Sequence, residues 1–260
     1  MKPHYQRNVS HNRALELVTR GLVAVALIVC ADTGTYKPRP PGPPWPQIGC
    51  IFSETFDEPY GFPDNQLIDA SIWAESWSGY CLDRTAPAAT PWLIPMATTN
   101  RALVDGTAGA IRFWYRPAFD SGVGPGHPAK LLTLVSLVGG ASASWYSLVV
   151  APDGATLSLV CGEDPTPCLT AAAAFQAGNW VLVALGYSET NTAIFINDTA
   201  VASGAGLPSV PAQLIPSTSL VVGSGPDGQQ VAAAQIDELA VFSGSNRFRR
   251  ITGSSFGLNT

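Results

Sequence analysis

Cleavage of a glycosidic bond by two carboxylates needs acids about 5–5.5 Å apart for retention, or further apart for inversion. Past residue 31 the glutamates of this chain are Glu54, Glu58, Glu75, Glu163, Glu189 and Glu238. Glu54 and Glu58 have the spacing of one strand face, but Glu58 precedes Pro59 and a turn, which sets the pair against an acid/base role. His127, in the Gly/Pro loop Gly122–Pro128, has no motif around it and reads as a plain loop histidine. A nucleophile–base–orienter set has no anchor in the sequence. Gly223-Ser224-Gly225 runs between strand-like segments and does not open a helix, so it does not read as a phosphate cradle. The residues better suited to a site are aromatic, because apolar sugar faces stack on rings while polar neighbours read hydroxyls. Trp77, Tyr80 and Trp92 lie in a stretch rich in Ser, Pro and Thr, and Trp145 and Tyr146 follow the turn Gly139–Ser144. These five are the candidate ligand platform; the alternative is that they are buried plugs at loop bases.

The elements that must position them begin after a leader. Lys2, Arg7, Arg13 and Arg20 precede an apolar run, Gly21–Val29, and then Val29-Cys30-Ala31. This is the layout of a secretory signal peptide, over 1–31, cleaved after Ala31. The run is short of the roughly 20 apolar residues of a membrane span. The alternatives are lipidation at Cys30, which Val29 disfavours, and an uncleaved anchor; each takes the rest of the chain out of the cytoplasm. The expected location is therefore extracellular, at the cell surface, or periplasmic in a bacterium. Residues 32–49 include Lys37–Pro46 (KPRPPGPPWP), a polyproline-like spacer or a disordered N-terminus.

From Cys50 short runs of β-branched and aromatic residues alternate with turn residues, the pattern of an all-β sandwich. The clearest are Ala110–Arg116, Leu131–Val138, Trp145–Ala151, Thr156–Cys161, Trp180–Tyr187, Thr192–Asn197, Ser219–Gly223 and Gln235–Phe242. Pro152-Asp153-Gly154 and Ser188–Asn191 give hairpin signals. Ala171–Ala174 is expected to form one helical turn at most. The sandwich is placed at 50–245 and a C-terminal tail at 246–260, a length ample for one buried core. The formal net charge is −5, with no basic cluster beyond Arg247, Arg249 and Arg250, which argues against nucleic acid or an anionic membrane as partner. Past the leader four cysteines remain, an even count that suggests two disulfides in an exported chain. Cys161 and Cys168 flank the turn-forming GEDPTP and are paired; Cys50–Cys81 follows by elimination, with buried thiols as the alternative. Asn197-Asp198-Thr199 is an N-glycosylation sequon, meaningful in a eukaryote.

Five segments, in order, carry a resemblance. Gly109–Pro117 (GAIRFWYRP) is similar to a "Φ-x-F-W-Φ-x-P" strand. Gly178-Asn179-Trp180 opens a strand and the next ends at Ile196-Asn197-Asp198-Thr199, without the usual turn glycine. Leu220–Gly223 resembles "L-x-Φ-G", and Gln235–Phe242 resembles a closing "x-Φ-D-E-Φ-x-Φ-Φ" strand. Phe52–Asp57, with Leu67–Asp69 and Trp73, is similar to a first strand of glucanase folds. Together they resemble the laminin-G-like, concanavalin-A-like lectin/glucanase superfamily. The resemblance implies a two-sheet antiparallel jelly-roll that binds glycans, proteins or surface polymers, with a smaller hydrolytic branch. The catalytic pattern of that branch, E-x-D-x-x-E, does not occur in this chain. The resemblance also implies a structural Ca²⁺ shared by Glu54 and Asp237, with Asp57 as a substitute; the alternative is that Asp237 caps or salt-bridges within the sheet. It assigns Trp114 and Trp180 to the core. The expected function is a non-catalytic module binding an extracellular glycan. The rivals are an adhesive protein that binds another surface protein and an atypical polysaccharide hydrolase or lyase.

Overall fold

The computed structural model describes residues 50–54, 60–61, 66–67, 73–75, 80–86, 90–98, 101–102, 104–138, 141–162, 164–197 and 199–244, with backbone alone described up to Tyr80 and at 98, 101–102, 137–138 and 141–142. The leader at 1–31, Cys30, the spacer at 32–49, Asp57, Trp77, Asp198 and the tail at 246–260 lie outside these residues. Among the described residues no helix is long and apolar enough to cross a membrane.

The strands in chain order are β1 (Cys50–Glu54), β2 (Tyr60–Gly61), β3 (Gln66–Leu67), β4 (Trp73–Glu75), β5 (Tyr80–Arg84), β6 (Trp92–Pro95), β7 (Ala97–Thr98), β8 (Arg101–Ala102) and β9 (Gly109–Pro117). There follow β10 (Ala129–Val138), β11 (Ala141–Val150), β12 (Thr156–Cys161), β13 (Pro167–Ala172), β14 (Val181–Tyr187), β15 (Asn191–Ile196), β16 (Thr199–Ala205), β17 (Thr218–Val222) and β18 (Ala234–Ser243). They form an antiparallel eight-stranded sheet, β16-β15-β14-β9-β18-β5-β4 with β1 also on β18, and an antiparallel six-stranded sheet, β13-β12-β11-β10-β17-β6. All eight strand runs expected from the sequence are strands, and both hairpins form where the turn residues stand. Ala171–Ala174 forms no helical turn: Ala171 and Ala172 close β13, paired with Leu157 and Thr156 of β12. Small side chains that are indifferent in isolation take the strand because an adjacent strand offers its hydrogen bonds.

The core lies between the sheets and follows the two-residue period of each strand. Ile111, Phe113 and Tyr115 of β9, Val183 and Leu185 of β14, and Ile236 and Val241 of β18 point inward. They meet Leu132 and Leu134 of β10, Leu148 and Val150 of β11, and Leu157 and Leu159 of β12. Each such side chain, removed from water, contributes about 1.5–3 kcal/mol. In β18 the alternation shifts at Glu238, whose φ of 47° inserts one extra residue between Asp237 and Ala240 in the pairing with β9. This bulge restores Leu239 and Val241 to the inner face and turns Ala240 and Phe242 outward, into a second cluster with Ala110, Ala184, Ala193 and Phe195. The turn that lacks the usual glycine is made by Asn197 at φ 46°, a conformation asparagine tolerates. Its amide N–H donates to Leu182 O and its Oδ1 accepts the Leu182 N–H, closing β14 onto β15.

Cys161 and Cys168 form a disulfide across the β12–β13 turn. The expected Cys50–Cys81 bond is corrected by register. Cys50 stands opposite Phe242, whereas Leu82 stands opposite Ile236, so β1 and β5 follow one another along the same edge of β18. About four to five residues of strand, roughly 15 Å, separate the two cysteines, beyond the ~7 Å that a disulfide spans between Cα atoms.

Candidate functional site

The end of the sandwich where β9 stops and β14 begins is built by three loop segments knotted at one hydroxyl. Ser121 Oγ reaches Gly154 O at 2.6 Å and Ala173 O at 3.1 Å, and it accepts the Phe175 N–H at 2.8 Å. The Ser121 N–H donates to Phe175 O, and the Gly122 N–H to Asp153 O. Beneath them Phe175 packs edge-on against Tyr115 and Phe119, with ring centroids 5.3 and 6.4 Å away. Loops pinned by both hydrogen bonds and a buried ring form a fixed surface, which saves a ligand the entropy of ordering them.

Over this base opens a depression of about 620 Å³, lined by Asp120, Ser121, Phe175, Gln176, Ala177 and Asn179 among others. Asp120 Oδ1 accepts the Ala177 N–H at 2.8 Å, and Gln176 Oε1 accepts from Asn179 Nδ2 at 2.7 Å. Among the described residues no hydrogen bond takes up the second Asp120 oxygen, the Gln176 amide donors or the Asn179 side-chain carbonyl, which can meet a ligand.

Beside the depression a polar row crosses the outer face of the eight-stranded sheet. Arg116 and Gln235 are paired across β9 and β18, and Gln235 and Asp83 across β18 and β5. Arg116 Nε donates to Gly178 O at 2.8 Å, its NH1 donates to Gln235 Oε1 at 3.0 Å, and its guanidinium carbon lies 6.0 Å from the Trp180 ring centroid. Trp180 is half-buried, directly after Asn179 of the depression. An aromatic ring, a guanidinium, an amide and a carboxylate thus follow one another across three strands. A ring that offers a face beside fixed donors and acceptors suits a molecule with an apolar face and hydroxyl edges.

The sequence-derived platform is not brought together. Trp92 is 7% exposed and Tyr146 3%, both in the core cluster, and Tyr146 lies 5.7 Å from Tyr187, ring to ring. Burial pushes the Tyr146 hydroxyl well above the usual phenol range, opposite to a solvent-facing ligand contact. Both fall at inward positions of their strands, so the expectation of exposed rings is corrected. Trp145, the extra residue where the β10–β11 register shifts, is half-buried, and its indole N–H donates to Ser136 Oγ at 2.7 Å. Tyr80 starts β5 opposite Glu75, with backbone alone described, and Trp77 lies outside. Trp114 is buried as expected but on the outer face, opposite in sense to Phe113 and Tyr115; Trp180 lies at the β14 entrance and is only half-buried. The signal that reads this correctly is the alternation of Arg112, Trp114 and Arg116 with Ile111, Phe113 and Tyr115 in GAIRFWYRP, which puts the arginines and one tryptophan on a common face.

For calcium, the backbone sets Glu54 opposite Leu239, two residues from Asp237. Asp237 is 1% exposed and its Oδ1 accepts the Glu238 N–H at 2.7 Å. Among the described residues no three acidic, histidine or cysteine side chains cluster to hold a metal. Ca²⁺ takes six to eight oxygens, so the described side chains do not by themselves make its shell.

Two antiparallel sheets packed face to face, with loops gathered at the strand ends, define a lectin-type β-sandwich. A family model for the concanavalin A-like lectin/glucanases superfamily matches residues 95–246, more than half of the sequence, and the chain belongs to that superfamily. Comparison with curated protein sequences gives no match. Among solved structures the chain is similar to the Trypanosoma rangeli sialidase, seen in a complex with 2,3-difluoro-KDN: TM-score 0.55, 13% identity, 83% of this chain and 35% of that one. The same sialidase in complex with 2,3-difluorosialic acid gives 0.54 and 12%, again over 83% and 35%. The chain thus spans about a third of the sialidase's length. Domain 4 of AbnA, an extracellular arabinanase from Geobacillus stearothermophilus solved in complex with arabinotriose, matches at TM-score 0.48 and 15% identity over 75% of this chain and 93% of that one.

Proposed function

We propose that the chain is a non-catalytic, extracellular carbohydrate-binding module, with its site at the Trp180–Arg116–Gln235–Asp83 row and the adjoining depression. One observation carries the reading: the Trp180 ring is braced by a guanidinium that Gly178 O and the Gln235 amide hold in place, next to the acceptors and donors of Asp120, Gln176 and Asn179. Such a set binds through stacking and hydrogen bonds without moving a proton. Among the described residues of this site the carboxylates are Asp120 and Asp83, of which Asp83 Oδ1 accepts the Thr85 N–H and hydroxyl, and the E-x-D-x-x-E pattern of the hydrolytic branch does not occur in the sequence; both support binding over two-carboxylate hydrolysis. The basic and apolar leader at 1–31 supports export. Calcium is part of the proposal only as a structural ion, held by Asp237 if Glu54 and Asp57 reach it.

The test is a glycan array probed with the full chain, with Ca²⁺ and again with EDTA, beside Trp180→Ala. Binding that Trp180→Ala abolishes supports the site, and loss in EDTA adds the ion. Binding that survives Trp180→Ala moves the site elsewhere, and no binding in either buffer leaves a protein partner as the leading reading.

A further inference from the structure

Arg84, the last residue of β5, is wholly buried, and among the described residues none of its Nε, NH1 and NH2 atoms meets a hydrogen-bond acceptor. Its stem points inward, across Gly223: a Cβ on that glycine would stand 2.6 Å from Arg84 Cγ, 3.3 Å from Nε and 3.2 Å from Ile236 Cδ1. The next residue, Ser224, is also wholly buried, and its Oγ has no hydrogen-bond partner among the described residues. Two buried polar groups without a hydrogen-bond partner among the described residues therefore sit at Gly223, just past the end of β17: Arg84 packed against it and Ser224 next to it in sequence. The Gly223 backbone is already used, with its N–H on Leu131 O and its carbonyl accepting the Ala232 N–H. Asp83, the neighbouring acid, is a residue of the opposite face, and its Oδ1 holds the Thr85 N–H and hydroxyl.

Burial lowers the Arg84 guanidinium to about 10, with Asp83 opposing the shift, so it stays charged at neutral pH. A buried guanidinium whose nitrogens meet no acceptor carries a penalty that a neighbouring acid on the other face offsets only in part, and arginine does not escape it by losing a proton. The partner must be an anion that needs no route to the surface in the folded state. A sugar acid or a peptide carboxylate carries a chain behind it, which full burial of the guanidinium does not admit. A monatomic anion accepts from several directions at once.

We propose that Arg84 and Ser224 form an internal binding site for a small halide-type anion, chloride in the working protein, enclosed between the two sheets beside Gly223. The site is separate from the outward Arg116 row and does not depend on the carbohydrate reading. Its role is to neutralise a cation in the interior, so its occupancy couples to folding.

The experiment compares thermal unfolding of the full chain in sodium chloride, sodium bromide and sodium gluconate at matched ionic strength, for the native sequence, Arg84→Met and Ser224→Ala. The expected result is a Tm about 3 °C or more higher in chloride or bromide at tenfold excess over Kd, a gain lost in Arg84→Met and reduced in Ser224→Ala. The ³⁵Cl NMR line of a chloride solution should broaden with the native protein and narrow on addition of bromide, a readout that stands if Arg84→Met does not fold. Equal Tm values in the three salts with an unbroadened chloride line overturn the proposal. So does a crystal in sodium bromide with no anomalous peak at Arg84, or with a carboxylate of the chain seated on it.

Discussion

Arg116 and Arg84 approach neighbouring residues of β18 from its two flanking strands. Arg116 pairs with Gln235 and points outward; Arg84 pairs with Ala234 and points inward. The outward guanidinium has a carbonyl, an amide oxygen and a ring, while the inward one has no acceptor among the described residues. One step of strand register separates a cation built into a surface from a cation enclosed in a core. The polarity of a sandwich end is therefore set residue by residue, by which parity each side chain inherits, and not by the composition of the segment.

The sharpest way to break the inward half is at Gly223, where φ is 73° and a Cβ would collide with the Arg84 stem. Gly223→Ala should cost about 2–4 kcal/mol, from the left-handed backbone and from overpacking. The steric part depends on Arg84, so Arg84→Ala/Gly223→Ala should lose less than the sum of the single variants, read by denaturant unfolding as a coupling of about 1 kcal/mol or more. Next comes the support of the outward half. Ser121→Ala strands the Phe175 N–H and frees the turn at Gly154, and should cost about 1–3 kcal/mol. It should also weaken glycan binding, measured by titration calorimetry, through a loosened depression.

The two arginines themselves come third. Arg84→Met exchanges a buried, unpartnered cation for an apolar side chain of similar length, and in gluconate buffer it should leave stability unchanged or raise it by about 1 kcal/mol. Arg116→Met removes two hydrogen bonds at a half-buried position and should cost about 1 kcal/mol. If both variants lose stability equally in gluconate, the distinction between the two arginines fails.

The fold was legible in the sequence because both sheets rest on runs whose branched and aromatic residues leave one choice of element. The strands of the two sheets that no expected run covers include β13 (PCLTAA) and β16 (TAVASGA), one outer edge of each sheet, whose small or polar side chains carry no periodic apolar signal, and β4, β5 and β6, short strands in a stretch that reads as loop from its Ser, Pro and Thr. β13 and β16 take their hydrogen bonds from the strands just before them, β12 and β15, and are strands because of that pairing and not because of a pattern of their own. The site was read less well for a related reason. Segment character does not place Trp92, Tyr146, Trp114 and Trp180, because the deciding variable is face parity, and bulges reset that parity in β10, β11 and β18. Asp120, Gln176 and Asn179 belong to loops that meet only after β9 and β14 have paired, and no motif marks them.

The smallest expected effect tests whether a partly buried charge that is satisfied behaves as the counterpart of Arg84. Asp105 lies before β9, opposed by burial, which pushes its carboxyl up. Hydrogen bonds from the Thr107 N–H and hydroxyl, the Ala108 N–H and Ser243 Oγ outweigh that and hold it below the usual carboxylate range. A carboxyl lowered by folding adds stability that is fully present above the unfolded value near 3.8 and is lost as pH falls through the folded value. Asp105→Asn should therefore flatten the acid limb of a plot of unfolding free energy against pH below about 4. The amplitude should be under about 1 kcal/mol, because solvent screens the exposed side of the group. An unchanged acid limb would mean that the hydrogen bonds serve the neutral acid as well as the carboxylate. In that case burial, not bonding, would set the cost of charge at Asp105 as it does at Arg84.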